Sequence, residues 1–243
     1  MILTDRVVLV TGGARRLGQA ITMALAKRHA HVVLSYRNSE REARATVAAL
    51  QRFGIRTLAV RADLNNADDV QRLIDRVRRT FGRLDVLINS AANFHRTPFA
   101  SLTERDWDAA LDTNLKGPFL CALYASRLMR RHGGKIINLA DWSGVRPYRD
   151  YLPYCVSKAG VIALTKALAK ELAPRIQVNA VAPGPILAPP DMSRSTKARI
   201  AKRVPLKRWG SPKDIINAIL FLLEGTDFMT GSTIFVDGGQ LIA

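Results

Sequence analysis

The chain predicts a single α/β domain, a Rossmann-type doubly wound parallel sheet of about seven strands flanked by helices. Two patterns in its 243 residues predict this. Short β-branched runs alternate with amphipathic stretches along the whole length, and the runs are apolar throughout instead of alternating in and out. Continuous apolar character marks strands buried on both faces, as parallel sheets require. Strand–helix alternation with right-handed crossovers then winds such strands into one sheet.

In chain order the strand runs are Arg6–Val10, His31–Ser35, Arg56–Arg61, Asp85–Asn89, Lys135–Leu139, Ile176–Ala182 and Thr233–Val236. Helical patterns fill Leu17–Arg28, Ser39–Phe53, Asp68–Phe81 and Val156–Leu172, the last closed by Pro174 as a stop signal. No repeat, low-complexity tract or composition break marks a linker, so residues 1–243 read as one dinucleotide-binding catalytic domain. Only 183–205, proline-rich at its start, lacks a pattern. A loop of that length is expected to be a substrate lid, the alternative being a plain surface excursion.

Composition narrows the function classes. The first apolar stretch, Arg6–Val10, is far too short for a secretory signal. The longest apolar run near the end, Ile215–Leu223, is broken by Asn217 and is about half a membrane span. A soluble, cytoplasmic protein with no membrane partner is expected. Cys121 and Cys155 form no CxxC, and the four histidines show no ligand spacing, so no metal site is expected. Both thiols read as reduced and packed. The net charge of +17 raises nucleic acid as a partner, but the basic residues are scattered. The longest clusters are pairs such as Arg15-Arg16, Arg78-Arg79 and Arg130-Arg131, without the stripe and interleaved aromatics of a nucleic-acid binder. A generally positive surface serves instead to draw in an anionic cofactor.

The first strand runs directly into Thr11–Gly18, which opens a helix. Gly12, Arg15, Arg16 and Leu17 are expected to cradle a pyrophosphate there, because small residues permit close approach and the helix N-terminus supplies N–H donors. The second strand ends in Tyr36-Arg37-Asn38-Ser39, with no acid to hold a ribose diol. The Arg37 cation and Ser39 hydroxyl suit a 2′-phosphate, so NADP(H) is expected over NAD. Arg37 by itself would equally read as a solvated arginine. Asp63-Leu64 and Asn89-Ser90-Ala91 follow the third and fourth strands, at the carboxyl ends where open sheets bind ligands. Tyr154 and Lys158, four apart on a helix, share one face. A neighbouring ammonium favours the phenolate, which is expected to bring the tyrosine within reach of proton transfer near neutrality.

With these pieces in order the chain resembles the short-chain dehydrogenase/reductase family over essentially its whole length. The resemblance rests on Thr11–Gly18, Asp63, Asn89-Ser90-Ala91-Ala92, Asn114, Tyr154/Lys158, Pro183-Gly184 and Val236-Asp237-Gly238-Gly239. It implies Asn114 as a helix-kinking, water-holding member of a proton relay and Lys158 as a ligand of the nicotinamide ribose. It also implies Pro183, Gly184 and Ile186 beside the cofactor, and a homotetramer. Two positions depart from the family: Arg16 replaces the second turn glycine, and Asp141 stands where the catalytic serine usually lies. Ser143 is nearby, with its spacing off by two.

Both departures are similar to the pteridine reductase subgroup, as are Phe94 after the fourth strand, Tyr151, the Tyr36–Ser39 tip and Asp191-Met192. This resemblance implies NADPH-dependent reduction of a pterin, dihydropterin or folate-type ring. Asp141 and Tyr154 would handle the proton, Phe94, Tyr151 and Arg16 would frame the ring, and the physics agrees: a flat heteroaromatic stacks on an aromatic side chain. Two other readings remain: a carbonyl reductase acting on 3-oxoacyl thioesters or small ketones, and a non-catalytic NADP-binding sensor.

Overall fold

The computed structural model describes residues 1–189 and 192–243. Seven parallel strands form one sheet: β1 (Val7–Val10), β2 (His31–Tyr36), β3 (Thr57–Arg61), β4 (Val86–Asn89), β5 (Gly134–Leu139), β6 (Ile176–Pro183) and β7 (Thr233–Val236). Their spatial order is β3-β2-β1-β4-β5-β6-β7. Each predicted strand is present within one residue of its expected ends. The helices are α1 (Arg16–Ala26), α2 (Glu40–Gln51), α3 (Ala67–Phe81), α4 (Glu104–Leu111), α5 (Gly117–Met129), α6 (Leu152–Leu172), α7 (Arg194–Arg203) and α8 (Pro212–Leu220).

The absence of in/out alternation has the expected cause. Val8 and Val10 pack on one face with Ile21 and Leu25 of α1, Leu50 of α2 and Ile215 and Ile219 of α8. Val7 and Leu9 pack on the other with Val70, Leu73 and Val77 of α3 and Leu120 and Ala125 of α5. Successive strand residues point to opposite faces, and with helices on both sides every strand position meets a core. The chain winds outward from β1 to β3, then returns to place β4 on the other side of β1. That reversal opens a crevice at the carboxyl ends of the central strands, where doubly wound sheets bind ligands.

Local signals set several helix ends. Asn66 caps α3 by accepting the Asp69 N–H at 3.1 Å, acids fill its first turn, and Gly82 ends it in the left-handed region at φ 72°. Helices α4 and α5 are joined by one π-helical turn, Asp112–Lys116, which carries Asn114.

The segment expected as structureless, 183–205, contains α7. Its N-cap Ser193 accepts the Thr196 N–H, but none of its residues is buried. A helix that is polar all round shows no apolar periodicity, so the pattern was invisible in the sequence.

On the rim opposite the crevice, Asp85 is buried at the start of β4. Its carboxylate accepts the Val7 N–H at 2.9 Å and pairs with Arg83 at 2.5 Å and Arg6 at 3.4 Å. Arg6 and Arg83 keep more than a third of their side-chain surface in water, so the main loss on removing the carboxylate is the hydrogen bond to the buried Val7 N–H. Asp85→Ala should therefore lower stability by about 1–3 kcal/mol in urea unfolding. Cofactor affinity should be unchanged in the folded fraction, because the crevice lies at the other end of the strands.

Candidate active site

A cleft of about 1340 Å³ lies over the carboxyl ends of the strands. All the expected cofactor-binding residues except Asn89 line it, as do all the expected substrate residues. Its floor is the turn after β1. Gly12 sits at φ 64°, and a Cβ there would lie 2.9 Å from the Ala91 Cα. A Cβ on Gly18 would lie 2.2 Å from the Gly12 carbonyl oxygen, so α1 can pack against the turn only through glycine. The Thr11 hydroxyl oxygen accepts the N–H groups of Ser90 and Ala91 at 3.0 and 3.1 Å and ties the turn to the end of β4. No side chain caps the N-terminus of α1 and no acid occupies its first turn. Its free N–H groups and positive dipole end suit a diphosphate.

Arg16 has φ 50°, in the left-handed region that favours glycine, the residue that the family resemblance implies at this turn position. Its Nη2 donates to the carbonyls of Leu187 at 2.9 Å and Ala188 at 3.3 Å. The guanidinium thus spans the cleft to the segment after β6.

Tyr36, Arg37, Ser39, Asp63 and Leu64 line the other end of the cleft. Arg37 is half-exposed, its nearest carboxylate being that of Asp63 at 3.8 Å. Sequence reasoning missed Arg61, whose Nε donates to the Arg37 carbonyl at 3.2 Å. Its place at the end of β3, opposite Tyr36, is set by strand register, which the sequence does not display.

At the centre, the Tyr154 hydroxyl donates to Asp141 Oδ2 at 2.9 Å, and Asp141 Oδ1 accepts the Ser143 N–H at 2.8 Å. Lys158 Nζ donates to the Leu139 carbonyl at 2.7 Å. Burial pushes the Asp141 carboxyl above its ordinary range, against the opposing Ser143 N–H. Burial, with the Asp141 charge in second place, pushes the Tyr154 phenol well above 10. Burial brings the Lys158 ammonium down to about 8, opposed by Asp141. The expectation that Lys158 lowers the tyrosine is thus corrected for this site. The ammonium lies over the ring face, 5.7 Å from its centroid, while the carboxyl touches the hydroxyl. Both acids are shifted toward their protonated forms.

Three other expectations resolve by position. Ser143 is fully buried and does not line the cleft, so it cannot stand in for the missing serine; Asp141 holds that place. Asn89 is turned into the core, where its Nδ2 donates to Asn138 Oδ1 at 2.9 Å. Asn114 lies behind the cleft wall. Its Oδ1 accepts the Asn93 N–H at 2.9 Å, and its Nδ2 donates to the Asn93 carbonyl and Ser157 Oγ, each at 3.1 Å. The side-chain amide braces the loop that carries Phe94, and the π-helical turn at Asn114 is the helix kink expected there.

That loop forms an aromatic wall. Phe94 stacks on Tyr151 with centroids 4.5 Å apart and planes 10° apart, and meets Tyr154 edge-on at 4.7 Å. Tyr148, not anticipated from sequence, joins the group edge-on to Phe94 at 6.2 Å and to Trp142 at 5.1 Å. The loops after β4 and β5 are clipped together: the Thr97 N–H donates to the Asp150 carbonyl at 2.7 Å, and Arg96 pairs with the Asp150 carboxylate at 2.7 Å. Met192 lines the cleft, while Asp191, singled out in the sequence, lies outside the described residues. Among the described residues no three His, Cys, Asp or Glu side chains gather as a metal site, and no helix is long and apolar enough to cross a membrane.

Residues 12–240 match the family model described as "Enoyl-(Acyl carrier protein) reductase". The chain belongs to the short-chain dehydrogenase/reductase family. Among curated relatives, a 3-oxoacyl-[acyl-carrier-protein] reductase of Synechocystis sp. is 40% identical, with 99% of this chain and 98% of the relative covered. The 3-oxoacyl-[acyl-carrier-protein] reductase FabG of Staphylococcus aureus is 39% identical, with 96% of each covered. Among solved structures, a putative short-chain alcohol dehydrogenase of Sinorhizobium meliloti superposes with TM-score 0.93 at 33% identity, covering 99% and 98% of the two chains. A variant of actinorhodin polyketide ketoreductase with NADPH gives 0.92 at 29%, covering 98% of each. The membership makes this short-chain dehydrogenase/reductase an oxidoreductase and sets aside a purely structural role. These two curated relatives are named as 3-oxoacyl reductases, which matches the carbonyl-reductase alternative of the sequence reading.

Proposed function

We propose that this short-chain dehydrogenase/reductase is an NADPH-dependent reductase of pterin-type rings. The observation that carries the reading is the Asp141–Tyr154 hydrogen bond beneath the Phe94/Tyr151 stack. A serine hydroxyl donates to a carbonyl oxygen in any protonation state, whereas a carboxyl does so only when protonated. A carboxyl that burial shifts toward its acid form is a proton source suited to a ring nitrogen.

The cleft fits the cofactor. The uncapped start of α1 takes a diphosphate, Arg37 and Ser39 take a 2′-phosphate, and Lys158, Pro183, Gly184 and Ile186 lie toward the nicotinamide end. When bound, NADPH supplies a hydride to a ring carbon of a C=N bond. The electron pair of that bond moves to nitrogen, which takes the proton of Asp141 or Tyr154. Phe94 and Tyr151 orient the flat ring, and Lys158 holds the ribose. Arg16 keeps the segment after β6 over the cleft. The homotetramer implied by the family resemblance belongs to this proposal, and sedimentation equilibrium tests it.

A second reading is favoured by the relatives, which are named as 3-oxoacyl-[acyl-carrier-protein] reductases. On that reading the hydride goes to a ketone carbon, and the proton goes to its oxygen. NADPH consumption with dihydrobiopterin and with an acetoacetyl thioester at matched concentrations separates the two. Preference for the thioester overturns the pterin reading and leaves a carbonyl reductase whose Asp141 replaces serine.

The 2′-phosphate assignment has its own test. Arg37→Ala should weaken NADPH binding about 10–100-fold, the effect of losing a charge-assisted hydrogen bond of about 1.5–3 kcal/mol. NADH affinity, read by the same fluorescence titration, should stay level. Equal losses for both nucleotides would remove Arg37 from the phosphate site.

A further inference from the structure

We propose that the mouth of the cleft is a subsite for an anionic tail, so that the substrate carries carboxylates or a phosphate remote from the bond being reduced. This rests on the proposed function for the location of the reacting bond. Among the described residues, nine Lys and Arg side chains line the cleft against two carboxylates, Asp63 and Asp141. The cofactor end and Lys158 account for four of the nine: Arg15, Arg16, Arg37 and Lys158. The other five are Arg146, Arg149, Lys202, Arg203 and Lys207.

The five come from two segments brought together at one rim. Arg146 and Arg149 lie on the loop between β5 and α6, beyond Asp141. Lys202 and Arg203 end α7, and Lys207 sits in the turn that follows it. Both segments are fastened to the chain just after β7: Arg146 Nη1 donates to the Gln240 carbonyl at 3.0 Å, and the Leu206 N–H donates to the Gly238 carbonyl at 3.2 Å. Lys207 is held at φ 54°, a left-handed conformation that costs a side-chain-bearing residue energy. The sheet order places this rim at the β7 side, with Arg37 and Asp63 beyond the ends of β2 and β3 at the opposite side. The rim therefore lies across the cleft from Arg37 and the proposed 2′-phosphate site.

All five side chains are exposed, and among the described residues none pairs with a carboxylate, although many other arginines of this protein do. Arg208, one residue beyond Lys207, has Asp214 at 3.5 Å. Like charges gathered around a concave mouth repel one another and focus a positive potential into it. Beside the rim stands the aromatic wall of the same site, with Asp141 its one carboxyl there. An uncharged ring fits the aromatic wall, and an anionic tail fits the rim.

The test compares substrates sharing a head but differing in tail charge: dihydrofolate against dihydrobiopterin, and acetoacetyl-CoA against the acetoacetyl thioester of N-acetylcysteamine. For each pair the ratio of kcat/KM, anionic over neutral, is measured in the wild type and in the Arg149→Gln/Lys202→Gln/Arg203→Gln variant. Calorimetric binding of each compound to the enzyme–NADP⁺ complex gives the same ratio where turnover is absent. The wild type should prefer the anionic member by about tenfold or more, falling with added salt, as electrostatic recognition does. In the variant the ratio should fall about tenfold through KM or Kd of the anionic member, with NADPH affinity retained as the control of folding. A ratio insensitive to both salt and substitution, in turnover and in binding, overturns the subsite. The preferred head decides the proposed function independently. The pair showing the effect tells a carboxylate tail from a phosphate one.

Discussion

Replacing Tyr154 with Phe is expected to lower kcat about 10²–10⁴-fold, the usual contribution of a positioned acid–base group. The phenol is buried, lines the cleft and donates to Asp141 at 2.9 Å. The substitution removes one hydroxyl and keeps the ring that meets Phe94 edge-on, so the aromatic wall and the NADPH affinity should persist. A variant with near-normal turnover would show that Asp141 delivers the proton unaided. Loss of NADPH binding together with activity would point to collapse of the site.

Asp141→Asn is expected to lower pterin reduction about 10²–10³-fold, because an amide hydrogen-bonds without giving up a proton. The pH dependence carries the sharper signature. Burial raises the Asp141 carboxyl, so its acid form persists to higher pH than in an exposed aspartate, and reduction should slow as pH rises through that raised value. Lys158, brought down to about 8, loses its charge above that point and weakens the hold on the ribose, giving a second decline. Asp141→Asn should abolish the first decline and move the second below pH 8, because the Asp141 charge holds the Lys158 ammonium up. Asp141→Ser should do the same while raising turnover of the acetoacetyl thioester. If the profile of the Asn variant keeps both declines, Asp141 is not the proton source.

These expectations depend unequally on sequence and on structure. The seven strands, the turn after β1 and the Tyr154/Lys158 pair were legible because their signals are local. Burial on both faces imposes continuous apolar runs, and two residues four apart on a helix necessarily share a face. The replacement of serine by Asp141 was visible too, because it is a matter of spacing. Helix α7 was not, since a polar helix has no periodicity to read.

The sequence by itself determined the fold, the cofactor class expected of it and the identity of the central Tyr, Lys and Asp. Only the tertiary structure decided how those groups are charged and what surrounds them. Burial raises Tyr154 where proximity of Lys158 had predicted the reverse, because the penalty for charging a phenol depends on every neighbour that excludes water. Asn114 faces Asn93 and Ser157, Arg16 reaches Leu187, and Arg146 meets the Lys207 turn through Gln240 and Gly238. Each of these contacts joins residues tens of positions apart, and their partners are set by how helices and loops close over the sheet.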